Sequence, residues 1–185
     1  TNLAEVVADE LAHGRVVAIT RGGMEYGPRA LGNRTLLYQT TDASVNDWLN
    51  KRLNRSEFMP FAPIMRKEDI GDYFSGQEKC EQALQYMTVT LQANDRCKRE
   101  APAIVHVDGT ARPQTVTETS NPFIYEVLTK YHEKSGLRIL INTSFNMHEE
   151  PIVCSEHDAV RAFLLGNIDV LVLGSFIVKH PSLAT

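Results

Sequence analysis

The segment MEYGPRALGNRTLL, residues 24–37, combines cations with turn-forming residues in one short stretch of chain. It holds Arg29 and Arg34 among two glycines and a proline, and it leads directly into an apolar run. Glycine allows close approach of the backbone, and exposed N–H groups on such a turn can line an anion. The guanidinium groups add forked donors that suit carboxylate or phosphate oxygens. The segment is a candidate anion site; the alternative is a solvated turn, since no Walker-type Gly-x-x-x-x-Gly-Lys pattern is present.

A second group of polar side chains follows a predicted apolar strand in LINTSFN, residues 140–146. The hydrogen-bonding residues at its end are Asn142, Thr143, Ser144 and Asn146. Ligands of α/β sheets gather at such strand ends, so this segment is a second candidate site. The alternative is a polar turn whose side chains bond their own backbone.

A third candidate is HVDGTARPQTV, residues 106–116. Asp108 and Gly109 predict the tight turn of a hairpin, with Arg112 projecting from the returning strand. Arg112 could pair with Asp108 or face an anion. His106 is expected to be a hydrogen-bonded core residue. The six histidines show no His-x-x-x-His spacing, so no metal site built by the protein is expected.

The composition indicates one soluble domain. The chain has 185 residues, of which 43% are hydrophobic and 23% charged. No window approaches the roughly 18 apolar residues of a membrane span, and no signal peptide is recognisable. Three scattered cysteines favour a reducing compartment, and we expect a cytoplasmic protein without a membrane partner. The first residues already have helical periodicity, which suggests a piece of a longer protein.

The charge distribution favours a confined anion site over a nucleic-acid surface. The net charge of −4 gives no reason to expect nucleic-acid binding. Residues 15–55, however, contain seven basic and three acidic residues. A cationic region on an acidic body is typical of a local anion pocket.

Periodicity and caps predict alternating helices and strands. We expect helices over 3–13, within 42–53, from Pro122 to before Gly136, and over 156–165. The predicted strands are RVVAIT, TLLYQ, YMTVTLQ, AIVHVDG, QTVTE, LRILINTS, EPIVC and IDVLVLGSFIVK. EFMPFAPIM, residues 57–65, holds two prolines, which favours an edge or shaped loop over a central strand. The irregular alternation predicts a single α/β or α+β domain with a mixed sheet.

Four stretches resemble one family. MEYGPRALGNRTLL, FMPFAPIM, DGTARPQTV and LINTSFNMHEEPIV are similar to the C-terminal, YrdC-like domain of the O-carbamoyltransferases that modify nodulation factors and certain antibiotics. The resemblance runs from about residue 14 to residue 179. It implies a twisted mixed β-sheet with flanking helices over residues 1–185. It also implies a longer protein with an N-terminal domain of the actin-like ATPase fold.

The resemblance also implies a chemistry. The YrdC-like domain of this family binds ATP, with Mg²⁺ on the nucleotide, and carbamoyl phosphate, and it forms carbamoyl-adenylate. The N-terminal domain, which holds iron, then transfers the carbamoyl group to an acceptor hydroxyl. Carried over to this sequence, Arg29 and Arg34 hold phosphate or carbamoyl oxygens, and Arg112 closes the anionic side. The other implied binding residues are Arg52, Arg55, Asn142, Ser144 and Asn146.

The sequence departs from the family pattern at three positions. Asn54 and Met59 stand where cations are common, and Glu149 replaces the glycine of the usual Gly-Glu-Pro. Two alternatives remain open. One is a nucleotide- or RNA-binding module without chemistry, and the other is a threonylcarbamoyl-adenylate synthase, whose signature residues differ from those present.

Overall fold

The protein was analysed as a computed structural model, which describes residues 2–55 and 61–183. Within these residues, seven strands form a large sheet. In spatial order they are Phe176–Lys179 (β10), Val170–Leu173 (β9), Val17–Thr20 (β1), Arg34–Gln39 (β2), Ile139–Ser144 (β8), Ala62–Arg66 (β3) and Gln114–Val116 (β7). A second sheet holds Phe74–Ser75 (β4), Leu91–Ala93 (β5) and Thr110–Ala111 (β6).

The large sheet is mixed, as the sequence predicts. β1 pairs antiparallel with β2 and parallel with β9, whereas β3 pairs antiparallel with β8 and parallel with β7. β2 and β8 are antiparallel neighbours at the centre, where Leu37 lies opposite Asn142. The loop 21–33, which connects β1 to β2, is called the arginine loop. The arginine loop and the polar end of β8 therefore meet at one edge of the sheet.

The helices confirm most of the predicted boundaries. They are Leu3–Ala12 (α1), Val45–Arg52 (α2), Glu81–Leu84 (α3), Asp95–Glu100 (α4), Pro122–Ser135 (α5) and Glu156–Leu165 (α6). Asn121 caps α5 by accepting a hydrogen bond from the Ile124 N–H, and Gly136 ends it with φ +75°. Ser155 and Asp158 form the expected capping box of α6. Within the described residues, no helix is long and apolar enough to cross a membrane.

Helices cover both faces of the large sheet. On one face, Val7 of α1 and Val127 of α5 belong to the same buried cluster as Leu37 of β2. On the other face, Leu49 of α2 and Phe163 of α6 share a cluster that also includes Ile141 of β8 and Leu36 of β2. Burial of apolar side chains on both faces holds the strands in place, and it fixes the strand ends that bear the polar residues.

The prediction that EFMPFAPIM avoids a central strand is wrong for its last residues. β3 contains Pro63 and lies between β8 and β7. Pairing with β7 begins only at Ile64, so one side of Pro63 has no strand beside it. A proline is tolerated in a strand when its missing N–H falls on an unpaired side. Residues 56–60 lie outside the described part of the chain.

Four further strand predictions are corrected. The segments 86–92 and 103–109 were expected to be strands, but only Leu91–Ala93 is a strand, and Pro102–Ile104 is a 3-10 turn. The turn at Asp108 forms, yet Gln114–Val116 continues into the large sheet beside β3 instead of pairing nearby. EPIVC has no strand pairing, although the Val153 N–H donates to the Phe145 carbonyl at 3.0 Å.

Candidate functional site

A cleft of about 440 Å³ opens where the arginine loop meets the end of β8. Its lining residues come from the arginine loop, α2 and the segment after it, β3, the β6–β7 connection, and β8 with the turn that follows. They are Pro28, Arg29, Ala30, Asn50, Arg55, Phe61, Ala62, Met87, Arg112, Asn142, Thr143, Ser144, Asn146, His148 and Glu149. The cleft thus brings together parts of all three segments that the sequence singles out.

The arginine loop is organised by Glu25. One oxygen of its carboxylate, Oε1, accepts hydrogen bonds from the N–H groups of Leu31 at 2.7 Å, Asn33 at 2.6 Å and Arg34 at 3.2 Å. The sequence pattern suggests that exposed N–H groups of this loop line an external anion. These three are instead satisfied by the protein's own carboxylate, which fixes the loop against β2.

Gly32 has to be glycine because the loop packs closely against α5. Its φ is +120°, and a Cβ atom built there would lie 2.8 Å from Cγ1 of Ile124. Any side chain at this position would push the loop away from the start of α5. Asn33 adds a second link to that helix, since its Oδ1 accepts a hydrogen bond from Asn121 Nδ2 at 3.0 Å.

Arg34 lies outside the cleft, contrary to the expectation that it lines the anion site. Its side chain is buried, and its guanidinium donates to main-chain carbonyls on both sides of the loop. Nη1 donates to Arg21, Gly22 and Asn33 at 3.3, 3.2 and 2.9 Å. Nε and Nη2 donate to Cys154 at 3.3 and 3.2 Å. Arg34 therefore ties the loop to the segment before α6.

Arg29 and Arg112 do line the cleft, and neither has a counter-ion within the described part of the chain. Among residues 2–55 and 61–183, neither takes part in a side-chain hydrogen bond or an ion pair, and the Arg112 Nε is buried without a partner. Burial, and after it the charge of Arg29, lower the pKa of Arg112. Two like charges in a partly desolvated cleft attract an anion, because it removes their mutual repulsion.

Asn142 forms the floor of the cleft but uses its amide inside the protein. Its Nδ2 donates to the Ala30 carbonyl at 2.9 Å and to Oε1 of Gln114 at 2.6 Å. Its Oδ1 accepts from the Thr35 hydroxyl. Gln114 in turn donates to the Leu31 carbonyl at 2.8 Å. Asn142 and Gln114 therefore join the arginine loop to β8 and β7.

Arg55 gathers the polar residues at the end of β8. Its Nη2 donates to the Ser144 carbonyl at 2.7 Å and to Asn146 Oδ1 at 2.9 Å, and its Nη1 donates to the Thr143 hydroxyl at 3.0 Å. Ser144 Oγ also donates to Asn146 Oδ1, at 2.6 Å. The structure thus brings Arg55, Ser144 and Asn146 together in one network at the cleft.

Arg52 does not reach the cleft. Its guanidinium lies 5.1 Å from the centre of the Trp48 ring, and its Nη1 donates to Asp169 Oδ1 at 3.3 Å. It links α2 to the start of β9 and is not among the lining residues. Of the positions that depart from the family pattern, Asn54 adopts φ +54°, and Met59 lies outside the described residues.

Several lining residues were missed by sequence reasoning. Phe61 and Met87 add apolar surface, and Met87 adopts φ +54° although it is not glycine. Asn50 and His148 add polar surface. Met87 lies between α3 and β5, far along the chain from the other lining residues, and nothing in the local pattern points to it. In the described part of the chain, no group of three His, Cys, Asp or Glu side chains could hold a metal ion.

The fold defines the structural class of the protein. The chain has a YrdC-like fold: it superposes on full-length HypF, solved in a phosphate- and nucleotide-bound form, with a TM-score of 0.69 and 21% identity. The superposition covers 95% of this chain and 25% of that one. This likeness confirms the predicted fold.

The family follows from sequence comparison. A family model described as carbamoyltransferase C-terminus matches residues 8–180, and the chain belongs to this family. It is 39% identical over 183 residues to nodulation protein NolO of Bradyrhizobium diazoefficiens, covering 98% of this chain and 33% of NolO. It is 38% identical over 168 residues to the 3'-hydroxymethylcephem-O-carbamoyltransferase of Streptomyces clavuligerus, covering 91% of this chain and 31% of that enzyme. The chain therefore spans about a third of the length of these relatives.

Proposed function

We propose that this chain is the ATP- and carbamoyl-phosphate-binding domain of an O-carbamoyltransferase and that it forms carbamoyl-adenylate. The observation that carries the proposal is the pair of cations Arg29 and Arg112, which share one cleft without a counter-ion in the described residues. An adenylation site needs positive charge at this density because the substrates bring several phosphate groups together. Membership of the carbamoyltransferase C-terminus family supports the choice of carbamoyl as the transferred group.

The proposed reaction converts carbamoyl phosphate, ATP and water into carbamoyl-adenylate, phosphate and pyrophosphate. Water first cleaves the bond between the carbamoyl group and phosphate, which releases phosphate and leaves carbamate. A carbamate oxygen then forms a bond to the α-phosphorus of ATP, and the bond from that phosphorus to the pyrophosphate oxygen breaks. Negative charge grows on the departing pyrophosphate, so Arg29 and Arg112 have their largest effect in the transition state. Mg²⁺ enters on the nucleotide phosphates. No covalent enzyme intermediate is needed, and catalysis rests on positioning and charge.

The other residues of the cleft have supporting roles in this proposal. The network of Arg55, Ser144 and Asn146 presents polar groups to the nucleotide, and Asn142 holds the floor. Arg34 acts through the loop, because its guanidinium is bonded to main-chain carbonyls. Transfer to the acceptor hydroxyl is assigned to an N-terminal domain of the actin-like ATPase fold, which holds iron, in a longer cytoplasmic protein.

Calorimetric titration with MgATP and carbamoyl phosphate tests the proposal. We expect Arg29→Ala and Arg112→Ala each to weaken MgATP binding by one to two orders of magnitude, which corresponds to about 1.4 to 2.7 kcal/mol. The matched control is Arg99→Ala, which removes an exposed arginine of α4 that does not line the cleft. Equal affinities in all three variants and the unmodified chain would refute the proposed site.

Product analysis separates this function from the alternatives. Carbamoyl phosphate should promote pyrophosphate release from ATP, whereas L-threonine with bicarbonate should not. Release that depends on threonine would indicate a threonylcarbamoyl-adenylate synthase instead. Tight RNA binding that weakens steeply with salt, without pyrophosphate release, would indicate a binding module.

A further inference from the structure

Glu149 stands in the cleft at a position whose backbone favours glycine. It follows β8 in the turn 145–150, adopts φ +58° and lines the cleft. For a residue with a side chain, this left-handed conformation costs about 1–2 kcal/mol, and glycine would adopt it without that cost. The carboxylate is 85% exposed, and its Oε1 lies 3.7 Å from His148 Nε2. The sequence therefore keeps an accessible carboxylate at the cleft despite an unfavourable backbone.

The cleft has two walls of different charge. The cationic wall consists of Arg29 and Arg112, carried by the arginine loop and the β6–β7 connection. A third cation of the cleft, Arg55, follows α2, and its guanidinium is bonded to the end of β8. The α2 wall consists of Asn50, His148 and Glu149. It is held to the end of α2 because the His148 N–H donates to the Leu53 carbonyl at 3.1 Å. The walls are built from different elements, so a ligand that fills the cleft meets both.

We infer that Glu149 recognises the ribose hydroxyl groups of the nucleotide and makes the site selective for ribonucleotides over deoxyribonucleotides. The inference rests on the proposed function, since it assumes that the cleft binds ATP. Phosphate groups are drawn to the cationic wall and repelled by the carboxylate of Glu149. The uncharged sugar is then the part of the nucleotide that can approach the α2 wall.

The chemistry of a carboxylate selects hydroxyl groups as its partners. An ionised carboxylate only accepts hydrogen bonds, and a ribose offers two neighbouring hydroxyl donors. Such charge-assisted bonds are short and strong, and acidic side chains contact ribose hydroxyls in the same way in dinucleotide-binding sheets. His148, next to Glu149, has its Nε2 3.7 Å from Oε1 of the carboxylate. Asn50 offers an amide on the same wall for further contacts.

Binding of ATP, 2′-deoxy-ATP and 3′-deoxy-ATP is measured for the unmodified chain, Glu149→Gln and Glu149→Gly. We expect the unmodified chain to bind at least one deoxynucleotide about tenfold more weakly than ATP, equivalent to 1.4 kcal/mol. Glu149→Gly should bind all three equally, and Glu149→Gln should show a reduced preference, because an amide oxygen accepts without a charge. Pyrophosphate, which has no sugar, should bind the two variants at least as tightly as it binds the unmodified chain, because the variants lack the repelling carboxylate.

The outcomes distinguish a failure of this inference from a failure of the proposed function. If the unmodified chain binds ATP and both deoxynucleotides equally, the inference fails while the proposed function stands. If Glu149→Gly binds pyrophosphate more tightly and keeps the same preference for ribose, Glu149 acts only by repulsion and the inference also fails. If the unmodified chain binds no nucleotide, both fail. Glu149→Gly suits the backbone of the turn, so its melting temperature should not fall; should it fall, Glu149→Gln decides the question.

Discussion

Burial and the charge of Arg29 together lower the pKa of Arg112, because the two guanidinium groups repel each other in the free protein. Such a pair stores unfavourable electrostatic energy that a bound anion releases. The repulsion lowers the stability of the protein without an anion and makes anion binding more favourable. Such a compromise between stability and binding is common at functional sites. The repulsion also links anion affinity to thermal stability. Thermal stability can be measured without knowing which hydroxyl compound accepts the carbamoyl group.

Phosphate or pyrophosphate should raise the melting temperature of the unmodified chain. At an anion concentration of 100 times the dissociation constant, binding adds about 2.7 kcal/mol to the free energy of unfolding. In Arg29→Ala and Arg112→Ala this increase should be largely lost, while the melting temperature without anion should stay the same or rise. Thermal melts with and without pyrophosphate at constant ionic strength provide the measurement. A full pyrophosphate effect in both variants would contradict the prediction, and Arg99→Ala controls for a general effect of lost charge.

Removal of the Arg34 guanidinium should mainly lower the free energy of unfolding, because this group bonds main-chain carbonyls and does not line the cleft. Arg34→Ala leaves the carbonyl groups of Gly22 and Cys154 without their donor, and we expect a loss of about 2–4 kcal/mol in the free energy of unfolding. Arg34→Lys keeps the charge but cannot donate to both carbonyls, so it should also be destabilised. Urea denaturation measures both effects. If Arg34→Lys retains full stability and yet binds MgATP much more weakly, Arg34 contacts phosphate directly.

Glu25 should be needed for the shape of the arginine loop. Glu25→Ala leaves the N–H groups of Leu31 and Asn33 without an acceptor, which should cost about 2–3 kcal/mol and weaken MgATP binding. Glu25→Gln keeps one oxygen that can accept both bonds, so it should retain most of the stability and most of the affinity. Denaturation curves and calorimetry on both variants test this. The account of the loop is wrong if the alanine variant is as stable as the glutamine variant.

The fold could be predicted largely from local patterns. α5 shows how: Asn121, Pro122 and Gly136 mark its ends, and an apolar stripe marks its buried face. The errors arose where tertiary pairing outweighs local propensity. Gln114–Val116 follows a turn typical of a hairpin, but β3 offers it a partner in the large sheet. Pro63 is tolerated in a central strand because β7 pairs with β3 only from Ile64 onwards.

The candidate site could be predicted in its location but only partly in its contacts. Residue types singled out the three segments that hold Arg29, Arg112 and Asn146, and the structure brings these residues to one cleft. They could not distinguish Arg29 from Arg34, because only the folded loop turns one guanidinium outward and the other onto carbonyl groups. The role of Glu25 was missed for the same reason, since its acceptor is aimed at N–H groups six to nine residues later in the chain.

Alkaline pH should destabilise the protein through two buried acids beside Glu100. Burial, and then the carboxylate of Glu100, raise the pKa of Cys97 from 9.0 to about 12 and that of Tyr73 from 10.0 to about 12. Both groups ionise first in the unfolded chain, so their contribution is fully present below pH 9 and is lost as the pH rises to 12. Each can add up to about 1.4 kcal/mol per pH unit to the fall in the free energy of unfolding. Denaturation between pH 8 and 11 should therefore show a shallower fall in Cys97→Ala and Tyr73→Phe than in the exposed control Cys154→Ala. If the free energy of unfolding falls equally steeply with pH in all three variants, the fold does not raise the pKa of Cys97 or of Tyr73.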